Sequence, residues 1–133
     1  FTMNNKLDKI LAEISAGELI DKITILEIKK IKINDGEKLK NIEKELSLLN
    51  GTLKNAISDT SKIQELIDKL KYVNLKLWDI ENGKRLAEKN NNFDKKFIEL
   101  SRSVYKNNDE RAKIKLEINN ILGSNIKEVK SHY

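Results

Sequence analysis

The chain contains no proline, and along its 133 residues the apolar side chains recur at spacings of three and four. Without proline, no residue is forced to interrupt a helical hydrogen-bond ladder, and that spacing gathers apolar groups on one side of a 3.6-residue turn. The period-two alternation of β-branched residues that marks a half-buried strand is absent. The expectation is an all-α chain built as an antiparallel helical bundle or a long helical hairpin. Such narrow bodies leave apolar seams open unless they associate, so a homodimer is expected as well. Domains run to about 100 to 200 residues, and residues 3–133 are read as one helical domain. Phe1 and Thr2, which precede the only methionine, Met3, are read as a vector remnant.

With no proline, the boundaries must fall on glycines, asparagines and capping residues. Ser15-Ala16-Gly17-Glu18 has the form of a capping box, in which a hydroxyl and a carboxylate satisfy the first free N–H groups of a helix. It divides a short helix over residues 4–14 from a second helix that starts near Ala16. The run GELIDKITILEIKKIKI carries apolar residues on more than one side, as the most buried helix would, and Asn34-Asp35-Gly36 ends it. A third helix over residues 37–57 aligns Leu39, Ile42, Leu46, Leu49 and Leu53, with Gly51 inside it. Ser61-Lys62-Ile63-Gln64 is a second capping box, opening a helix that reaches Lys89 with Ile63, Leu66, Leu70, Val73, Leu77 and Ile80 on its stripe. At 1.5 Å per residue it would be about 40 Å long and would need a long partner. That partner starts near Phe93, after the Asn90-Asn91-Asn92 turn, and stops at Gly123-Ser124. Residues 125–133 have no place in this core.

Composition narrows the function. Charged residues make up 35% and hydrophobic residues 38%, with one Trp, which favours Ile and Leu layers in slim amphipathic helices. The net charge of +5 and pI near 9.3 raise nucleic acid as a partner. Lysines, however, alternate with acids, as in EKLKNIEKEL, and such interspersed charge is the pattern of a solvated helix face. Nucleic-acid binding is therefore disfavoured. With no Cys and a single His, at position 132, neither a disulfide framework nor a His-built metal site is expected, and no cofactor is implied. The absence of a run approaching the ~18 apolar residues of a membrane span, and of a signal peptide, points to a cytoplasmic protein away from membranes.

Of the 26 basic residues only Arg85, Arg102 and Arg111 are arginines. Where a sequence drifts so far towards Lys, a retained Arg suggests a task for the planar, bidentate guanidinium. On a heptad, the last helix turns Phe93, Phe97, Leu100, Val104, Asn107, Arg111, Ile114, Ile118 and Ile121 inward, so Asn107 and Arg111 share a seam with Phe and Ile. A buried Arg needs a carboxylate or a bound anion; Glu18, Asp21, Glu27 and Glu81 are the carboxylates that could face it. Arg102 and Tyr105 flank the seam, and Asn74, Trp78 and Arg85 lie on the helix beside it. If these converge, Asn74, Trp78, Glu81, Arg85, Arg102, Tyr105, Asn107 and Arg111 would form a site for a carboxylate or phosphate. The plainer reading is that the Arg and Asn layer fixes helix register, with Trp78 in the core and Tyr105 hydrogen-bonded to a carboxylate. A third is local: Asn107-Asn108-Asp109-Glu110 could restart the helix, which would make Asn107 a cap.

Three blocks carry a resemblance: GELIDKITILEIK at 17–29, NLKLWDIENGKR at 74–85, and FIELSRSVYKNNDERAKIKLEIN at 97–119 followed by LGS. Together they resemble a family of short bacterial proteins known only as a domain of unknown function, in which these blocks recur in this order. The resemblance runs from about Ala16 onwards and is weakest over 36–62. It implies a small bacterial protein, brings no activity, substrate or cofactor with it, and adds nucleotide sugars to the anions worth testing. Each of the eight candidate site residues lies inside a block. The first functional expectation is a non-enzymatic interaction or scaffold protein whose polar layer fixes its geometry and whose partner is a second copy or another protein. The alternative is a binder of an anionic small molecule, or a metal-free helical enzyme.

Overall fold

Three of the four α-helices begin at a side chain that takes up the first orphan N–H groups. The computed structural model describes residues 7–124, and among them places α1 over Ala16–Lys32, α2 over Gly36–Ala56, α3 over Gln64–Lys89 and α4 over Lys95–Leu122, with no strand. Ser15 Oγ accepts from Glu18 N at 3.1 Å, as the capping-box pattern anticipates. Asp35 Oδ1 accepts from Glu37 N and Lys38 N, and Asp94 Oδ1 from Lys96 N and Phe97 N. The second capping box does not form. Ser61 instead lies in a 3-10 turn, Ser61–Ile63, ahead of α3, and its N–H donates to Asp59 Oδ1 at 2.9 Å. A carboxylate two residues earlier is the stronger acceptor. That backbone hydrogen bond from Ser61 is the main reason the Asp59 carboxyl sits below its usual range.

The asparagine run ends α3. Asn91 adopts φ 51°, which Asn tolerates better than other side chains. Asn92 N then donates to Ala87 O at 2.8 Å and Asn91 N to Glu88 O at 3.1 Å, closing the last turn in a Schellman arrangement. Gly123 does the same for α4 with φ 66°, the stop expected there.

Cross-helix pairings give the directions. Gly17 meets Asn119, Glu18 meets Lys115 and Asp21 meets Arg111, so α1 and α4 are antiparallel. The α3 and α4 helices are antiparallel through their turn, which leaves α1 parallel to α3 and makes α2 the return segment of an up-down-up-down bundle. One core cluster, Ile20, Ile63, Leu70, Val73, Ile114 and Ile118, lies between α1, α3 and α4. A second, Leu19, Ile23, Leu26, Ile42 and Leu46, joins α1 to α2, whose helix contacts are with α1 alone. Helix α1 is thus apolar on two sides because it serves two interfaces. No helix among the described residues is long and apolar enough to cross a membrane.

Three further sequence expectations change. Residues 7–14 are not helical, and Leu7, Ile10 and Leu11 are each about four-fifths exposed; so short a helix is marginal in water without a surface to pack on. The rest of that expected helix, residues 4–6, lies outside the described residues, as do Phe1, Thr2 and 125–133. Helix α4 runs unbroken through Asn107-Asn108-Asp109-Glu110, so Asn107 is not a cap. Finally, the heptad seam drifts: Ile121 is 50% exposed while Leu122 packs against the core. A straight helix turns about 20° per heptad away from a 3.5-residue repeat, so the inward position passes to the next residue.

Candidate functional site

On α4, polar residues recur every fourth position next to the apolar stripe of Ile114 and Ile118: Asn107, Arg111, Lys115 and Asn119. The last three face α1. Arg111 Nε donates to Asp21 Oδ1 at 2.9 Å and its Nη2 to Oδ2, a bidentate grip on a carboxylate that is fully buried. Asn74 Nδ2 donates to the same Asp21 Oδ1 and to Thr24 Oγ1, both at 2.9 Å. Thr24 in turn gives its hydroxyl hydrogen to Asp21 O. A carboxylate only accepts, so the Asn74 nitrogen must be the atom facing it, and the amide orientation follows. One turn along, Lys115 Nζ, almost fully buried, donates to Glu18 Oε2 at 2.7 Å. At the next turn Asn119 Oδ1 accepts from Gly17 N at 2.7 Å, while its Nδ2 is buried without a partner among the described residues.

This ladder demands close approach. A Cβ on Gly17 would stand 2.5 Å from Lys115 O, a backbone atom that cannot swing away, whereas one on Gly51 would meet nothing within 4 Å. Two Gly→Ala changes should therefore have opposite signs. Gly51→Ala should stabilise by about 0.5–1 kcal/mol, the ordinary helix preference. Gly17→Ala should destabilise by about 1–3 kcal/mol because α1 and α4 must part. Urea unfolding of both variants checks this, and a stabilised Gly17→Ala would contradict the packing.

The eight candidate residues do not meet at one spot. Arg111 is committed to Asp21, the one of its four potential carboxylates that the fold selects, with Asn108 Oδ1 a longer contact at 3.4 Å. Asn107 turns back along its own helix, donating to Ser103 O. Arg102 and Tyr105 are exposed. Asn74, Trp78, Glu81 and Arg85 do come together, lining a groove of about 370 Å³ between α1 and α3 whose apolar wall is Ile25, Ile28 and Leu77. Asn74 belongs to both places, since its Nδ2 reaches inward to Asp21 while the residue lines the groove. Glu81 is 3.8 Å from Lys84, and Arg85 forms no ion pair or hydrogen bond among the described residues.

Sequence reasoning missed Thr24, Lys115, Asn119 and Gly17. Lys115 and Asn119 had a legible signal in the four-residue recurrence that begins at Asn107 and Arg111. Thr24 and Gly17 had none, because their importance comes from what α3 and α4 place against them. Among the described residues no cluster of His, Cys, Asp or Glu could hold a metal ion.

No curated protein and no solved structure matches the chain. The model of one family, described as "Family of unknown function (DUF6165)", matches residues 10–133. That span takes in the ladder, the groove and all four helices, and the chain belongs to this family of unknown function.

Proposed function

We propose that the protein is a non-enzymatic helical scaffold that works as a homodimer, joined through the outer half of the α3 and α4 hairpin. The observation that carries this reading is an imbalance along the hairpin. Its inner half supplies Leu70, Val73, Ile114 and Ile118 to a closed core. Its outer half, residues 75–113, contains no buried residue, although it includes Ile80, Phe97, Leu100 and Val104. Leu86, Phe93, Ile98 and Tyr105 there are all more than half exposed. Two helices alone cannot enclose an apolar seam, whereas a second hairpin laid against them makes a four-helix layer. Apolar side chains left exposed along a stretch that has no buried residue mark an association site.

The ladder supports the scaffold part of the reading. Arg111 grips Asp21 through two donors, which suits a residue that fixes register between helices, as buried polar pairs do in coiled coils. Light scattering coupled to gel filtration tests the proposal. The wild-type chain should run at twice 15.4 kDa, and Leu86→Glu or Ile98→Glu should run as folded monomers with unchanged helix content. A wild-type monomer at all accessible concentrations would remove the homodimer.

A further inference from the structure

The groove between α1 and α3 has features that the scaffold reading leaves unused. Its volume of about 370 Å³ falls within the roughly 300–1,000 Å³ of small-ligand sites. One side is apolar, from Ile25, Ile28 and Leu77. The other is a row of α3 residues at helical spacing, Asn74, Trp78, Glu81 and Arg85, which share one face. Their polar atoms are largely unspent. The Trp78 indole N–H and the Arg85 guanidinium have no partner among the described residues. Both hydrogen bonds that Asn74 makes among the described residues are donated by Nδ2, which leaves Oδ1 as an acceptor. Glu81 stands four residues before Arg85, the spacing that pairs such residues on a helix, yet its nearest cation is Lys84 at 3.8 Å.

The chemistry of that row selects an occupant. Arg85 calls for a carboxylate, which it can hold through two parallel N–H groups. Glu81, one turn away, repels a multiply charged anion and favours a hydrogen-bond donor next to the carboxylate. The apolar wall and the Trp78 face call for a branched or aromatic body. A helix from another protein fits poorly, since half of the groove-lining residues are polar and an amphipathic helix seeks a continuous apolar trough. We infer that the α1/α3 groove binds a small monoanionic or zwitterionic organic acid, with a carboxylate, an adjacent ammonium or hydroxyl, and an apolar body. The inference does not depend on the oligomeric proposal, because its residues lie on the α1-facing side of α3.

Trp78 is the only tryptophan, so its fluorescence reports on this groove alone. Titration of the full chain with L-phenylalanine and with 3-phenyllactate should give a saturable change in its intensity or wavelength. Sulfate and inorganic phosphate, which lack the apolar body, and 3-phenylpropionate, which lacks the adjacent donor, should bind at least about tenfold more weakly. Arg85→Gln should weaken both ligands about tenfold or more, while Arg102→Gln, outside the groove, should leave them unchanged. Both arginines are exposed, so the two variants should melt with the wild type. The inference is overturned if no probe gives a saturable change, if sulfate or phosphate does as well as the organic acids, or if both Arg variants weaken binding equally. It is also overturned if Trp78 emission responds to protein concentration and to no ligand, since a second copy would then cover the groove.

Discussion

Replacing Arg111 by Ala should lower the free energy of unfolding by about 3–5 kcal/mol, the cost of leaving a buried charge without its partner. Asp21 is fully buried and, among the described residues, its carboxylate keeps Asn74 as a donor once the guanidinium is gone. For a chain of this length the loss amounts to roughly 10–20 °C in Tm. Arg111→Lys should fall between Ala and wild type, because an ammonium restores charge but not the two-pronged contact. Changing Arg111 and Asp21 together to Leu should recover most of the loss or exceed wild type, since a well-packed apolar pair has no desolvation cost to offset. Urea unfolding of the three variants separates these cases. An Arg111→Ala loss no greater than the roughly 0.5 kcal/mol of an ordinary surface change would mean that the ladder does not hold α1 against α4. The doubly apolar protein also tests the scaffold proposal. If the polar pair sets register, that protein should be stable yet lose its single oligomeric state.

The helices were legible because their apolar stripes are local facts. Leu39 to Leu53 on α2 and Leu66 to Ile80 on α3 could be read by spacing alone, and the Gly123 stop by residue type. Tertiary facts were not local. Leu7, Ile10 and Leu11 have helical spacing but nothing among the described residues to pack on, and a spacing argument cannot see that absence. The inward turn of Arg111 was visible as a polar break in an apolar seam, and Asp21 was one of four carboxylates that could meet it. Which of the four it met depended on the parallel setting of α1 and α3, which brings Asn74 to the same carboxylate. Convergence of the three arginines depended on helix rotation. Arg102 is exposed and Arg85 lines the α1/α3 groove while Arg111 points inward, and a two-residue error in phase, about 200° around a helix, is enough to exchange such roles.

Leu70→Ala should cost about 2–5 kcal/mol, whereas Leu86→Ala, on the same helix, should cost no more than about 0.5 kcal/mol in dilute solution. Leu70 has no exposed surface and touches the cluster shared by α1, the 3-10 turn and α4, so its removal leaves a cavity that three elements would have to move to close. Leu86 is 59% exposed, and what it would lose on truncation is already in water. The contrast sharpens with concentration. If the outer hairpin is covered by a second copy, Leu86→Ala should grow more costly as protein concentration rises, because subunit association stabilises the folded chain by mass action. Leu70→Ala should not change, since its cavity lies inside one chain. Unfolding both variants over a wide range of protein concentration therefore measures two properties of one helix. A Leu86→Ala penalty that stays small and constant would place the outer hairpin in solvent, and its apolar residues would then need a partner other than this chain.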